Sequence, residues 1–168
     1  MKYISKILSS LYNHIVKKRR QTYLERLIRN GFTLGKNVGI IDNFFFDPSH
    51  CFLISIGDNC TICPNVRLIA HDASTKKILG YTKIGEIDIK ENCFTGDSAI
   101  VLPNVTIGPN SIIGAGAIVT KYILTNSIAS GNPARVISSV KEYINKIKSI
   151  SKNKKIFGEE CYSEPFNG

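Results

Sequence analysis

Of the three histidines in this chain, His71 and His50 stand where a regular sequence pattern is interrupted, and His14 does not. An imidazole can accept a proton near neutral pH, so a histidine beside an excursion of the chain is a candidate general base. The other interruption holds Asp47, Pro48, Ser49 and His50, polar side chains suited to a binding pocket. Cys60-Thr61-Ile62-Cys63 has the spacing of a CxxC, but no second Cys/His pair accompanies it. A sequence repeat accounts for it without redox or metal chemistry. A three-histidine metal site would need His14, which falls in a helical stretch, so no metal is expected.

The elements that must position these side chains come from a six-residue beat. Large aliphatics recur at Ile56, Ile62 and Leu68, then at Ile89, Thr95, Val101, Ile107, Ile113 and Val119, with Thr95 the one polar member. A fainter copy runs through Leu34, Ile40 and Phe46. Helices repeat every 3.6 residues and strands every two, so neither gives this rhythm. A parallel β-helix does, because each short unit stacks on the next and buries a continuous column. A second column is small or medium: Cys60, Val66, Cys93, Ala99, Val105, Ser111, Ala117. A third holds Asn59, Asn65, Asn92, Asn104, Asn110 and Gly116, residues that tolerate the left-handed backbone of a tight corner. Pro64, Pro103 and Pro109 precede that column by one place and help the chain bend.

Leu68 and Ile89 are 21 residues apart, three too many for whole repeats, so roughly Asp72 to Glu86 must leave the wall as a loop. Counted in register, His71 takes the corner column that Asn fills elsewhere, and its side chain is expected to project beside that loop.

The 168 residues suffice for one domain with appendages, 43% hydrophobic and with a net charge of +9. Residues 1–36 hold nine Lys or Arg against the single Glu25, whereas residues 37–136 are nearly neutral. The repeat region therefore offers no basic face to nucleic acid. Residues 1–33 read as a basic amphipathic helical segment, with Ile4, Ile7, Leu8, Leu11 and Ile15 on one face and Gly31 to end it. The stripe could pack on the solenoid. Alternatively, with Lys17, Lys18, Arg19 and Arg20, it could rest on an anionic membrane. Residues 34–137 form the repeat domain, and 138–168 a C-terminal helix and mobile tail. That helix should start at a Ser138 or Ser139 cap and turn Tyr143, Ile144, Ile147 and Ile150 inward. No stretch is long and apolar enough to span a membrane and no signal peptide is evident, so a cytoplasmic home with reduced thiols is expected.

Three words carry a resemblance: Leu102-Pro103-Asn104-Val105-Thr106-Ile107-Gly108, Ile113-Gly114-Ala115-Gly116-Ala117-Ile118-Val119-Thr120-Lys121, and Gly131-Asn132-Pro133-Ala134-Arg135-Val136-Ile137. With them, residues 34–137 resemble the hexapeptide-repeat acyltransferases, in particular the galactoside and maltose O-acetyltransferase-like branch and its polysaccharide-acetylating relatives. The resemblance implies an all-β solenoid, a left-handed parallel β-helix with an N-terminal and a C-terminal α-helix, assembled as a homotrimer with active sites between subunits. It implies acetyl-CoA as donor and His71 as catalytic base. Phe94, Asp97, Ala115, Thr120, Lys121 and Arg135 match positions on the coenzyme groove, although Phe94 stands where relatives carry Trp, Asp97 where they carry Ser, and Ser138 where they carry a basic residue. Asn43 matches an acceptor-pocket residue, and Asp47, His50 and Asp72 are the further acceptor candidates.

The function so implied is transfer of acetyl from acetyl-CoA to a hydroxyl of a sugar or surface-polysaccharide precursor, at the inner face of the plasma membrane if the first helix binds there. Two alternatives stay open: a different small acceptor (an amino sugar, serine or a xenobiotic), and a β-helix scaffold without catalysis. The intact Lys121 and Arg135 words, with His71 at the loop, weigh against the scaffold.

Overall fold

The six-residue beat winds the chain into a coil with three faces. The computed structural model describes residues 2–151. After helix α1 (Lys2–Arg29), the first turn lays down β1 (Thr33–Leu34), β2 (Gly39–Ile40) and β3 (Phe45–Phe46). A 3-10 segment at Cys51–Leu53 leads to β4 (Ile54–Ile56), β5 (Thr61–Ile62) and β6 (Arg67–Leu68). An excursion carries β7 (His71–Asp72), α2 (Lys76–Leu79) and β8 (Lys83–Ile84). The coil resumes as β9 (Ile87–Ile89), β10 (Phe94–Thr95) and β11 (Ile100–Val101), then β12 (Val105–Ile107), β13 (Ile112–Ile113) and β14 (Ile118–Val119). β15 (Ser127–Ser130) opens a fifth turn, with β16 (Arg135–Ser139) and α3 (Val140–Ser151) after it.

Each wall strand lies parallel to the strand one turn on. The first face is β1-β4-β9-β12, the second β2-β5-β10-β13-β15, and the third β3-β6-β11-β14. All nine main beat residues from Ile56 to Val119 are buried, as are Cys60, Val66, Cys93, Ala99, Val105, Ser111 and Ala117. Each large aliphatic so enclosed stabilises the coil by about 1.5–3 kcal/mol. Thr95 is the exception within the column, because its buried hydroxyl has no hydrogen-bond partner. Cys60 and Cys93 fill the small column, their thiols donating to the Lys90 and Gly108 carbonyls at 3.0 and 3.2 Å.

The corner reading holds at every Asn of that column: Asn59, Asn65, Asn92, Asn104 and Asn110 all have positive φ, as does Gly116 at +67°. One corner adds a side-chain ladder. Asn37 donates to Asn59, Asn59 to Asn92, and Asn92 to Asn110, at 3.2, 3.3 and 3.0 Å. His71 does not join this series. It pairs with Ile84 in an antiparallel ribbon, β7 with β8, so the chain leaves the wall already at His71 and the excursion has strand structure of its own. The register count fails there because antiparallel pairing to residues 83–84 replaces the corner.

Helix α1 closes one end of the coil. Leu27 is fully buried, Tyr23 and Leu24 pack on the core, and the Tyr23 hydroxyl donates to the Phe46 carbonyl at 3.0 Å. Its end is a Schellman turn: Gly31 at φ +99° lets Phe32 N–H reach the Leu27 carbonyl and Gly31 N–H the Ile28 carbonyl, both at 3.0 Å. At about 100° per residue, the expected stripe through Ile15 and the buried Leu27 lie on different sides of this helix. Leu8, Leu11 and Ile15 are accordingly exposed, and the side chains of Ile4, Ile7 and Lys17 lie outside those described.

At the other end, β16 adds to β15 in the antiparallel sense, and α3 begins at a capping box. Glu142 N–H donates to the Ser139 hydroxyl (3.1 Å) and Ser139 N–H to the Glu142 carboxylate (2.9 Å). Tyr143, Ile144, Ile147 and Ile150 face solvent on the single chain, contrary to the inward orientation expected of them. The helix extends from β16, and the described residues leave this face uncovered. The expected mobile tail, with Cys161, lies outside the described residues.

Candidate active site

Both interruptions of the repeat occur at one corner, on consecutive turns. Phe45 and Phe46 stack on Arg67 and Leu68, and the chain leaves the wall after each pair. Asp47 N–H still donates to the Leu68 carbonyl at 2.9 Å, which fixes Asp47 one layer from Ile69. Past Ala70, which is fully buried, the ribbon starts, and Gly85 N–H closes it on the Ala70 carbonyl at 3.0 Å. Stacking of the turns thus carries Asp47 and His50 to His71.

The Asp47 carboxylate is 1% exposed and is hydrogen-bonded to His71 Nδ1. Its other oxygen accepts Ser49 N–H at 3.1 Å. Burial alone would raise the Asp47 pKa, but the His71 hydrogen bond and charge, with Ser49 N–H and His50, outweigh it and hold the carboxyl below its usual range. An ionised Asp47 accepts the Nδ1 proton of His71, so the Nε2 lone pair of that ring is free. The His71 side chain is 37% exposed, open enough to meet a substrate. His50 lies behind the same carboxylate. Its Nδ1 is 3.5 Å from Asp47 Oδ2, and its ring centre 5.0 Å from that of His71.

The other acceptor candidates are placed differently. Asp72 is held within the ribbon, by Lys83 Nζ at 2.7 Å and by Ser74 N–H at 2.9 Å. The Lys83 bond first, then Ser74, hold its carboxyl well below the usual range. Asn43, with φ +64°, sits at the corner one face away and shares a hollow of about 260 Å³ with Arg19, Arg20 and Tyr23 of α1.

The coenzyme candidates are all exposed, and Asp97, Ala115, Thr120 and Lys121 flank the third face. Thr120 and Lys121 come directly after β14 at the His71 corner, two turns further along. Asp97 and Ala115 lie at the opposite corner of that face, where the Asp97 carbonyl accepts Gly116 N–H at 2.8 Å. Phe94 is on the neighbouring second face. Arg135 begins β16 and donates to the Ala134 carbonyl at 2.9 Å. Among the described residues, no hydrogen bond or ion pair joins any of these six to His71.

Sequence spacing places Asp47 with the acceptor and leaves the partner of His71 unassigned. The signal for that partner is nevertheless present. Phe46 and Leu68, 22 residues apart, close the same face one turn apart, so the segments that begin at Asp47 and Ile69 must meet. The ligand atoms of Asp47, His50 and His71 also lie within 4.8 Å of one another, close enough to share a metal ion.

Comparison with known proteins agrees with this architecture. Residues 87–121 match the family model described as bacterial transferase hexapeptide (six repeats). The chain is 38% identical over 120 residues to galactoside O-acetyltransferase of Escherichia coli, covering 66% of this chain and 58% of that enzyme. It thus spans a little over half the length of the curated relatives it matches. A maltose O-acetyltransferase structure from Clostridium difficile superimposes with a TM-score of 0.54 at 26% identity, over 74% of this chain and 88% of that one. A hexapeptide-repeat acetyltransferase from Vibrio cholerae, solved with acetyl coenzyme A, shares the fold with a TM-score of 0.59 at 23% identity, over 65% and 60%.

Proposed function

We propose that this hexapeptide-repeat chain, similar to galactoside and maltose O-acetyltransferases, moves acetyl from acetyl-CoA to a hydroxyl of a sugar or surface-polysaccharide precursor. The observation that carries the reading is the buried Asp47 carboxylate on Nδ1 of the accessible His71. In this mechanism His71 Nε2 takes the proton of the acceptor hydroxyl as its oxygen attacks the thioester carbonyl. The tetrahedral intermediate collapses with cleavage of the C–S bond, and the proton on Nε2 passes to the departing CoA thiolate. Asp47 stabilises the transient imidazolium and keeps the ring in the required tautomer. Donation from Nδ1 to a fixed anion prevents the ring from turning over.

The donor assignment is supported by the exposed Lys121 and Arg135, cations suited to the coenzyme's phosphates, beside a third face bounded by Thr120 on one side and Ala115 on the other. No cysteine is required, and the buried Cys60 and Cys93 are committed to backbone acceptors. A left-handed sense for the coil, and a trimer with the groove completed by a neighbouring subunit, fit the likeness to the hexapeptide transferases. The apolar residues left uncovered on the single chain, Phe94, Ile137, Tyr143, Ile144 and Ile147 among them, support burial between subunits. We place the reaction in the cytoplasm, where acetyl-CoA and activated glycan precursors meet. No helix among the described residues is long and apolar enough to cross a membrane. Thiol release from acetyl-CoA, measured across sugars, nucleotide sugars and lipid-linked glycans, tests the reading. Failure of every hydroxyl acceptor, with acetylation of an amine instead, would replace it.

A further inference from the structure

We propose that Asp47, His50 and His71 form a binding site for a transition-metal ion of the zinc type, and that occupancy switches the Asp47–His71 pair off. The inhibitory half rests on the general-base reading above; the binding half does not.

Two imidazoles and a carboxylate are a complete three-ligand protein set for zinc, leaving a fourth position for water. Nitrogen ligands favour Zn²⁺ and its neighbours over Mg²⁺ or Ca²⁺, which take oxygen. The ligand atoms converge within 4.8 Å. Tetrahedral zinc with bonds of about 2.0–2.1 Å sets its ligand atoms about 3.3 Å apart. The edge from His50 Nδ1 to Asp47 Oδ2, at 3.5 Å, is already close to that spacing. His71 Nδ1 is in direct contact with the same carboxylate, so its ring must move aside to admit an ion between them. That is the mobile member: Asp47 is 1% exposed and tied to Ser49, whereas His71 is 37% exposed and opens the ribbon.

His50 gives the independent sign. Its Nδ1 is a buried nitrogen without a hydrogen-bond partner, aimed at a carboxylate that His71 and Ser49 already engage. Buried polar atoms are nearly always satisfied, and those that are not call for an explanation such as an ion. A cation between His50 and Asp47 supplies one. The consequence for His71 comes from its tautomers. Ligation through Nδ1 requires the lone pair there, so the proton of the neutral ring moves to Nε2. The nitrogen that would accept the substrate proton is then occupied, and Asp47 binds metal instead of orienting the ring. Metal and acetyl transfer exclude each other at one imidazole.

The test uses the full chain, stripped with a chelator and titrated with Co²⁺. Tetrahedral Co²⁺ absorbs in the visible, and thiolate ligation would show separately as charge transfer in the near ultraviolet. The expected result is one equivalent bound, visible bands without a thiolate band, and displacement by Zn²⁺. His50→Ala, His50→Gln and Asp47→Asn should each weaken affinity by about a hundredfold or more, with circular dichroism showing each variant folded. No visible bands, bands with thiolate character, or unchanged affinity in the His50 variants would overturn the site. In the transfer assay Zn²⁺ should abolish CoA release and a chelator should restore it. Undiminished turnover with the site filled would overturn the switch alone. If the stripped chain transfers no acetyl group, the enzymatic reading fails, while the cobalt spectrum still decides the metal site.

Discussion

Replacing Asp47 by Asn isolates what a buried charge contributes to a proton transfer, because the amide keeps the size of the side chain and removes the negative charge. The carboxylate is 1% exposed, whereas the imidazole it serves is 37% exposed. Opposite unit charges about 4 Å apart attract by about 4 kcal/mol at an effective dielectric of about 20. Solvent at the open side of His71 screens part of this, leaving about 3 kcal/mol that acts only once the imidazolium has formed. Lost from the transition state alone, that is about a hundredfold in kcat with little change in KM for acetyl-CoA. Steady-state thiol release at saturating donor measures it. A kcat within threefold of the parent would refute the reasoning, because the charge beside His71 would then contribute nothing. The same variant changes acid stability. Asp47 has a folded pKa below its unfolded value near 3.9, so the unfolded chain binds more protons in that region. Its contribution is fully present above the unfolded pKa and is lost as pH falls through the folded one. Denaturant titrations below about pH 4 should show the parent losing stability faster than Asp47→Asn.

His71→Ala should keep the fold, since the side chain stands outside the buried column, yet lower kcat by about two to four orders of magnitude; circular dichroism with initial rates decides, and activity within tenfold of the parent removes His71 from the mechanism. Lys121→Ala should raise the KM for acetyl-CoA more than it lowers kcat, and loss of acceptor affinity instead would move Lys121 to the other pocket. Thr95→Val should stabilise the coil by about 1 kcal/mol in urea unfolding, because it removes a buried hydroxyl without a partner; a loss of stability would mean that the hydroxyl is satisfied.

Much of the scaffold was legible because each turn of a coil obeys the same steric rule. A corner needs a left-handed residue, so the Asn column is visible in one dimension, and the buried column comes with the beat. The site was legible only as a set of places. That His71 stands at an excursion can be had by counting, but that it opens a ribbon depends on pairing with residues 83–84, which no repeat encodes. Asp47 and His50 read as pocket residues because a linear pattern shows a break without showing which other break it stacks against. The exposed face of α3 misled for a related reason. Its spacing correctly gives an apolar side, but an apolar side does not say which chain covers it.

The antiparallel β16 has a consequence for the molecule as a material. A parallel coil presents at each end an edge that another coil can extend, and nothing in the stacking rule limits the number of turns. Here α1 covers the first turn, and at the far end a strand of reversed direction is laid on β15. A reversed strand cannot template the next parallel turn, so the second face ends there as a monomer-length object. A chain cut back to β14 would keep its repeats and lose its terminator. With α1 still over the first turn, such a chain would present one open edge, so the helix at one end and the reversed strand at the other together bound a structure whose stacking rule sets no length of its own.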